Sequence, residues 1–324
     1  MKAARLVAPG TFDFVDIPEP TTEDGHVKVK IEAVSVCGSD VHGMFRADLP
    51  EESYPMAPGV PCHEIAGTIV ESRIPGLKEG QRAIVIPTRG TGGLTQYTTQ
   101  NIERIIPVPD WGTIDDWVMC QHTGTVLYSA KHWGNPAGQR IAVLGQGGIG
   151  LSFTMLAEAQ GAEQVIAVDR LDYRLKKALE VGATHAVNPE SENLYESLEE
   201  ITGGKGVDVV VDASGDSAGF ETCIRMVKRH GTFISFSLTG PIKERTSFVH
   251  AEWMRKACKI IPTQIAGTSQ PIQEIIEIVA LKARGWVDPA KLKSHNLAFK
   301  DVQKAYDMYA DYKDNVIKVV MSVP

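Results

Sequence analysis

The chain has 324 residues, 43% hydrophobic and 23% charged, which suits a globular protein long enough for two domains. Its net charge of -7, with no offsetting basic cluster, argues against a nucleic-acid partner, because phosphate binding needs a basic face. No apolar run approaches the roughly 18 residues of a membrane span, and the opening MKAARLVAP lacks the apolar stretch of a signal peptide, so a cytoplasmic protein with no membrane partner is expected.

The first third reads as short strands. His26–Ala33 alternates apolar and polar residues, as do Glu64–Glu71 and Arg82–Pro87, the pattern of half-buried strands in a small barrel or sandwich. Near residue 124 the pattern changes. A helix is expected over Thr125–Trp133, then strands at Arg140–Leu144, Gln164–Val168, Val207–Asp212 and Thr232–Phe236. Between them, helices fit Gly150–Gln160, Asp172–Val181, Leu194–Thr202 and Gly219–Arg229. This rhythm predicts a doubly wound parallel sheet over 124–265. The tail 266–324, with a helix over Ile272–Arg284 and a strand over Val316–Met321, is expected to return to the first domain, 1–123.

Gly145-Gln146-Gly147-Gly148-Ile149-Gly150 follows the strand RIAVL and opens a helix. GxGxxG in that setting is a dinucleotide fingerprint. The first glycine makes the turn, the second lets backbone approach a pyrophosphate, and the third lets helix and strand pack closely. The helix N-terminus offers N–H groups to phosphate. Asp169 ends the next strand, about 20 residues beyond Gly150, where a carboxylate accepts ribose hydroxyls and disfavours a 2′-phosphate. NAD is therefore expected over NADP, although Arg170 could accommodate the extra phosphate.

Val36-Cys37-Gly38-Ser39-Asp40-Val41-His42 follows the first long strand, and Pro61-Cys62-His63-Glu64 precedes the second. Thiolate and imidazole are zinc's preferred ligands, and a catalytic zinc keeps one position open. The cysteines, Cys37, Cys62, Cys120, Cys223 and Cys258, form no CxxC pair, which argues against a structural zinc; they are too sparse for a disulfide framework.

With these motifs the chain resembles a zinc-dependent member of the medium-chain dehydrogenase/reductase superfamily, in its alcohol, sorbitol and threonine dehydrogenase branch. The likeness runs from VCGSDVH through the His–Glu pair and its GTIVE strand to the glycine loop and the final KVV strand. It implies a Rossmann sheet beside a GroES-like β-barrel catalytic domain, and a homodimer or homotetramer. One catalytic Zn2+ would act as a Lewis acid while a secondary alcohol (a polyol, sugar, cyclitol or amino-alcohol) loses hydride to NAD. Cys37 and His63 match zinc ligands, Ser39 the hydroxyl that takes the substrate proton, and His42 the far end of the relay. Asp40 matches the acid that orients a ligand, Glu64 a glutamate able to coordinate, and Arg174 a base near the adenosine ribose.

The chain departs from the family pattern in three places. Cys62 stands where the family has glycine. The third-ligand spacing lands on Gln121, with Cys120 and His122 beside it. The four-cysteine structural-zinc lobe is absent, with only residues 88–93 in its place. Phe45, Arg46 and Trp111 are candidate pocket residues. Two other readings compete: a zinc-free quinone or enoyl reductase, which the Cys37/His63 pair opposes, and a non-catalytic NAD-binding protein, which Ser39, Cys37 and His63 together oppose.

Overall fold

A computed structural model describes residues 1–88, 90–237, 245–263 and 272–324. The chain divides into two compact units, Met1–Gly124 with Ser269–Pro324, and Thr125–Thr268. The boundary expected at 265/266 lies outside the described residues, as does Arg89 of the short 88–93 connection.

The first unit opens with a hairpin of β1 (Lys2–Ala8) and β2 (Thr11–Asp16). In β3 (His26–Ser35) the alternation turns Val27, Val29 and Ile31 fully inward. Two short turns, α1 (Gly38–Asp40) and a π-turn over Val41–Phe45, follow before β4 (Glu64–Ser72). β5 (Arg82–Val85), β6 (Tyr97–Asn101) and β7 (Ile105–Pro107) complete the barrel-forming strands of this stretch. α2 (Ile114–Val118) comes next, and α3 (Cys120–Ala130) starts five residues before the expected helix, so Cys120, Gln121 and His122 lie in its first turn rather than ahead of it.

The second unit holds β8 (Arg140–Leu144), α4 (Gly148–Ala159), β9 (Gln164–Val168), α5 (Asp172–Glu180) and β10 (His185–Val187). After these come α6 (Leu194–Thr202), β11 (Val207–Asp212), α7 (Gly219–Met226), β12 (Val227–Ser235), α8 (His250–Lys256) and β13 (Lys259–Pro262). The sheet order is β10-β9-β8-β11-β12-β13, parallel throughout. In order of appearance that is 3-2-1-4-5-6, the dinucleotide-binding arrangement, with its switch point between β8 and β11. The middles of both central strands, Ile141–Leu144 and Val209–Val211, are apolar runs, as covering on both faces requires. α6 matches its expected limits because both ends are capped: the Asn193 side chain accepts from the backbone of Tyr195 and Glu196, and Gly203 takes a left-handed φ of 58°.

α7 is shorter than expected. Val227–Arg229 belongs to β12, because Val227 pairs with Val207 and the Lys228 ammonium bonds Asp208. Tertiary pairing overrides the helical pattern there. β10 escaped the sequence reading because three residues give no periodicity.

The chain then returns to the first unit with α9 (Gln273–Ala283), β14 (Lys293–Ala298), α10 (Val302–Ala310) and β15 (Lys318–Ser322). β15 begins two residues later than expected because the N–H groups of Ile317 and Lys318 both bond the Ser294 hydroxyl. It runs antiparallel to β3 in a sheet ordered β14-β15-β3-β4-β5-β7, with β6 also on β3. Between its layers lie Ile65, Ile69, Leu94, Phe45 and Tyr306, all fully buried.

Candidate active site

In the first unit, strand register assembles the site. Ser35 pairs with Glu64 across β3 and β4, so Cys37 and His63 leave the sheet from the same end. The donor atoms of Cys37, His63 and Glu64 all lie within 4.8 Å of one another. His63 Nδ1 is 2.7 Å from Asp40 Oδ1; a carboxylate only accepts, so the ring proton sits on Nδ1 and Nε2 is left for a metal. Without a metal, burial opposes the imidazolium, but Asp40 and Cys37 outweigh it and hold the His63 pKa well above the usual range, so a metal binding at Nε2 would displace a proton. Asp40 is itself buried.

Glu64 is fully buried, and its Oε2 accepts from the Lys318 ammonium at 2.5 Å. Lys318 also donates to the Val36 carbonyl at 2.8 Å. Burial raises the Glu64 pKa, yet Lys318, His122 and His63 together bring it below the usual value. Among the described residues, Glu64 Oε1 has no hydrogen-bond partner and neither has Gln121 Oε1, although both are buried. An orphaned carboxylate oxygen grouped with a thiol and an imidazole is what a cation would satisfy. The donor set therefore fits zinc.

Cys120 is fully buried, and burial pushes its thiol up to about 12. His122 is buried, with Nε2 3.4 Å from the Thr123 hydroxyl. Cys62 faces the core, its Sγ 3.9 Å from the Ser35 carbonyl and 3.8 Å from that of Glu64. Ser39 is exposed, with Oγ 3.2 Å from Cys37 Sγ. His42 follows in the π-turn, and partial desolvation lowers its pKa.

The suggested pocket residues fare differently. Phe45 is core, stacked on Phe12. Arg46 lies over the Phe45 ring and pairs with Asp307 at 2.7 Å. Trp111 is exposed and packs edge-on against Trp117. Nothing in these contacts turns Phe45 or Arg46 toward the donor cluster.

In the second unit, the glycines of the loop divide by role. Gly145 has φ 88°, and a Cβ there would stand 2.6 Å from the Ala213 carbonyl oxygen. A Cβ on Gly150 would stand 1.7 Å from the Gly145 oxygen. The protein's own packing thus requires both. Gly147 is different: its φ of -70° suits any residue, and among the described residues a Cβ there would meet no atom within 4 Å. Glycine at 147 leaves the backbone open to close approach from outside the chain, and the N–H groups of Gly148 and Ile149 open α4 beside it. The loop fits a dinucleotide pyrophosphate.

Asp169 braces the same loop. Its Oδ2 accepts from the Gln146 N–H at 2.6 Å, its Oδ1 from that of Leu171 at 2.9 Å, and Arg174 lies 3.6 Å away. Arg170 is exposed. Sequence reasoning missed Gln146, whose buried amide donates to the Val143 carbonyl and accepts from Thr154. A polar residue between two glycines was the available signal. It also missed Lys318, whose partner lies 254 positions away.

Residues 23–143 match a model described as the alcohol dehydrogenase GroES-like domain, and residues 148–280 one described as zinc-binding dehydrogenase. An alcohol dehydrogenase of Cupriavidus necator is 27% identical, the match covering 99% of this chain and 98% of that protein. Sorbitol dehydrogenase 1 of Saccharomyces cerevisiae is also 27% identical, with 95% and 94% covered. Among solved structures, an Escherichia coli oxidoreductase of unknown specificity superposes with a TM-score of 0.88 at 23% identity, covering 100% of this chain and 99% of that one. With both unit folds and both family models in agreement, the chain belongs to the zinc-dependent medium-chain dehydrogenase superfamily.

Proposed function

We propose that the protein is an alcohol dehydrogenase that uses one catalytic zinc and NAD to oxidise a secondary alcohol of the polyol, sugar or amino-alcohol class. The observation that carries this reading is the donor cluster of Cys37, His63 and Glu64, with His63 oriented by buried Asp40. The family's alcohol and sorbitol dehydrogenases support the substrate class.

A zinc ion supplies a Lewis acid for the alcohol oxygen, and NAD supplies the hydride acceptor. The chain's own groups do the rest. Asp40 fixes the His63 tautomer. Lys318 holds one Glu64 oxygen and leaves Oε1 for the metal. Gln121 offers its orphaned amide oxygen from the first turn of α3. Ser39 takes the substrate proton, and His42, with its depressed pKa, is neutral near pH 7 and passes the proton to solvent. Asp169 at the end of β9 favours NAD by repelling a 2′-phosphate, with Arg174 beside it. We place self-association at β13, which pairs with β12 in the sheet order.

The test is metal analysis of the purified protein alongside an NAD-reduction screen over alcohols, polyols and amino-alcohols. One zinc per chain with turnover on a secondary alcohol is expected; zinc with no turnover on any alcohol would point to a non-catalytic NAD-binding protein.

A further inference from the structure

Cys37 and His63 both lie beyond the last β3–β4 pair, Ser35 with Glu64. The ladder alone does not fix them, so other contacts must hold the two segments in place. Lys318 makes some of them, at Val36 and Glu64, and α10 makes others. Tyr306 and Tyr309 are three residues apart and share one face of this helix, which packs against β15 and the Val41–Phe45 turn. Tyr306 is fully buried between the rings of Phe12 and Phe45, at centroid distances of 4.9 and 5.2 Å. Its hydroxyl donates to the carbonyl of Pro61, a buried residue two positions before His63. The Tyr309 ring lies over the other segment: a Cβ on Gly38 would stand 3.6 Å from its hydroxyl oxygen, 3.8 Å from its Cε1 and 4.0 Å from the His42 ring.

We propose that Tyr306 and Tyr309 are positioning residues that clamp the His63–Glu64 and Cys37–Ser39 segments into metal-binding geometry from a single helix of the C-terminal tail. The proposal rests on the zinc reading above. It makes the donor set depend on a tail more than 240 positions away, so local sequence spacing alone does not complete the site. Groups that hydrogen-bond the ligands themselves alter metal affinity by about 10- to 100-fold when removed; Tyr306 acts one step further out, through the Pro61 carbonyl, so its loss should fall at the low end of that range.

The test strips metal from the full-length protein and titrates Co2+ into wild type, Tyr306→Phe, Tyr309→Leu and Val29→Ala. The last perturbs the same core in the body of β3 without touching either segment. Affinity is read by chelator competition, and geometry by the visible Co2+ bands; melting of each metal-free variant gives its fold stability. Tyr306→Phe should weaken Co2+ binding about tenfold and shift the bands. Tyr309→Leu should show a smaller loss, and Val29→Ala should keep wild-type affinity and spectrum even where it melts lower. Wild-type affinity and spectra in both tyrosine variants would overturn the clamp, as would losses no larger than those of Val29→Ala. If Tyr306→Phe does not fold, Tyr309→Leu decides alone. A wild type that binds no Co2+ would overturn the zinc reading first, and the clamp with it.

Discussion

The two units build their sites in opposite ways. In the dinucleotide unit one short stretch, Gly145 to Gly150, makes the turn, the approach and the helix start, and its neighbours only brace it. In the other unit the donors come from two segments, with Lys318 and Tyr306 supporting them from the far end of the chain. The first arrangement is local and tolerates little change in backbone. The second depends on long-range contacts and should fail through lost support as readily as through lost ligands.

Four variants can break or sharpen this contrast. The largest effect is expected from Lys318→Met, which leaves Glu64 buried without its cation. Breaking one side of a buried pair costs about 3–5 kcal/mol, so thermal melting should fall steeply and metal retention with it, although no proposed ligand is altered. Gly150→Ala comes next: overlap with the Gly145 oxygen should cost about 1–3 kcal/mol or more and abolish dinucleotide binding, with metal content retained. Gly147→Ala separates ligand approach from packing. Its melting should match wild type, because no protein atom is displaced, while calorimetry should show NADH binding weakened; an unchanged dissociation constant would contradict the role given to Gly147.

The smallest effect concerns pH. Burial raises the Asp208 pKa, but Arg140 and Lys228 overcome this and hold it down to about 2. A carboxyl depressed in the folded state stabilises the fold above its unfolded pKa, near 3.9, and loses that contribution as pH falls toward 2. Wild type should therefore lose more melting temperature than Asp208→Asn between pH 4 and pH 2, and parallel losses would refute the assignment.

The same contrast explains what could be read from sequence. The parallel sheet and its glycine loop were evident because strand, turn and helix stand in one contiguous run. α6 matched because Asn193 and Gly203 mark its ends. β10 and β14 were not evident, being short or polar-alternating strands held by neighbours. α7 was read too long because the pairing of Val227 with Val207 leaves no local trace. Cys37, His63 and Glu64 stood out by residue type. Lys318 lay unnoticed inside KVV, Tyr306 and Tyr309 in an ordinary amphipathic helix, and Gln146 behind the glycines around it. Each acts through a tertiary contact that composition and periodicity do not encode. Phe45 and Arg46 looked like pocket residues only because they follow the metal segment in sequence; packing takes one into the core and the other to Asp307.

The most direct measurement is elemental analysis of wild type and Cys37→Ser, paired with NADH binding to each. One zinc per chain in wild type, none in the variant, and equal NADH affinity in both would bear out a zinc site held by Cys37 and an independent dinucleotide site. Equal zinc content in the two proteins, or no zinc in either, would contradict it.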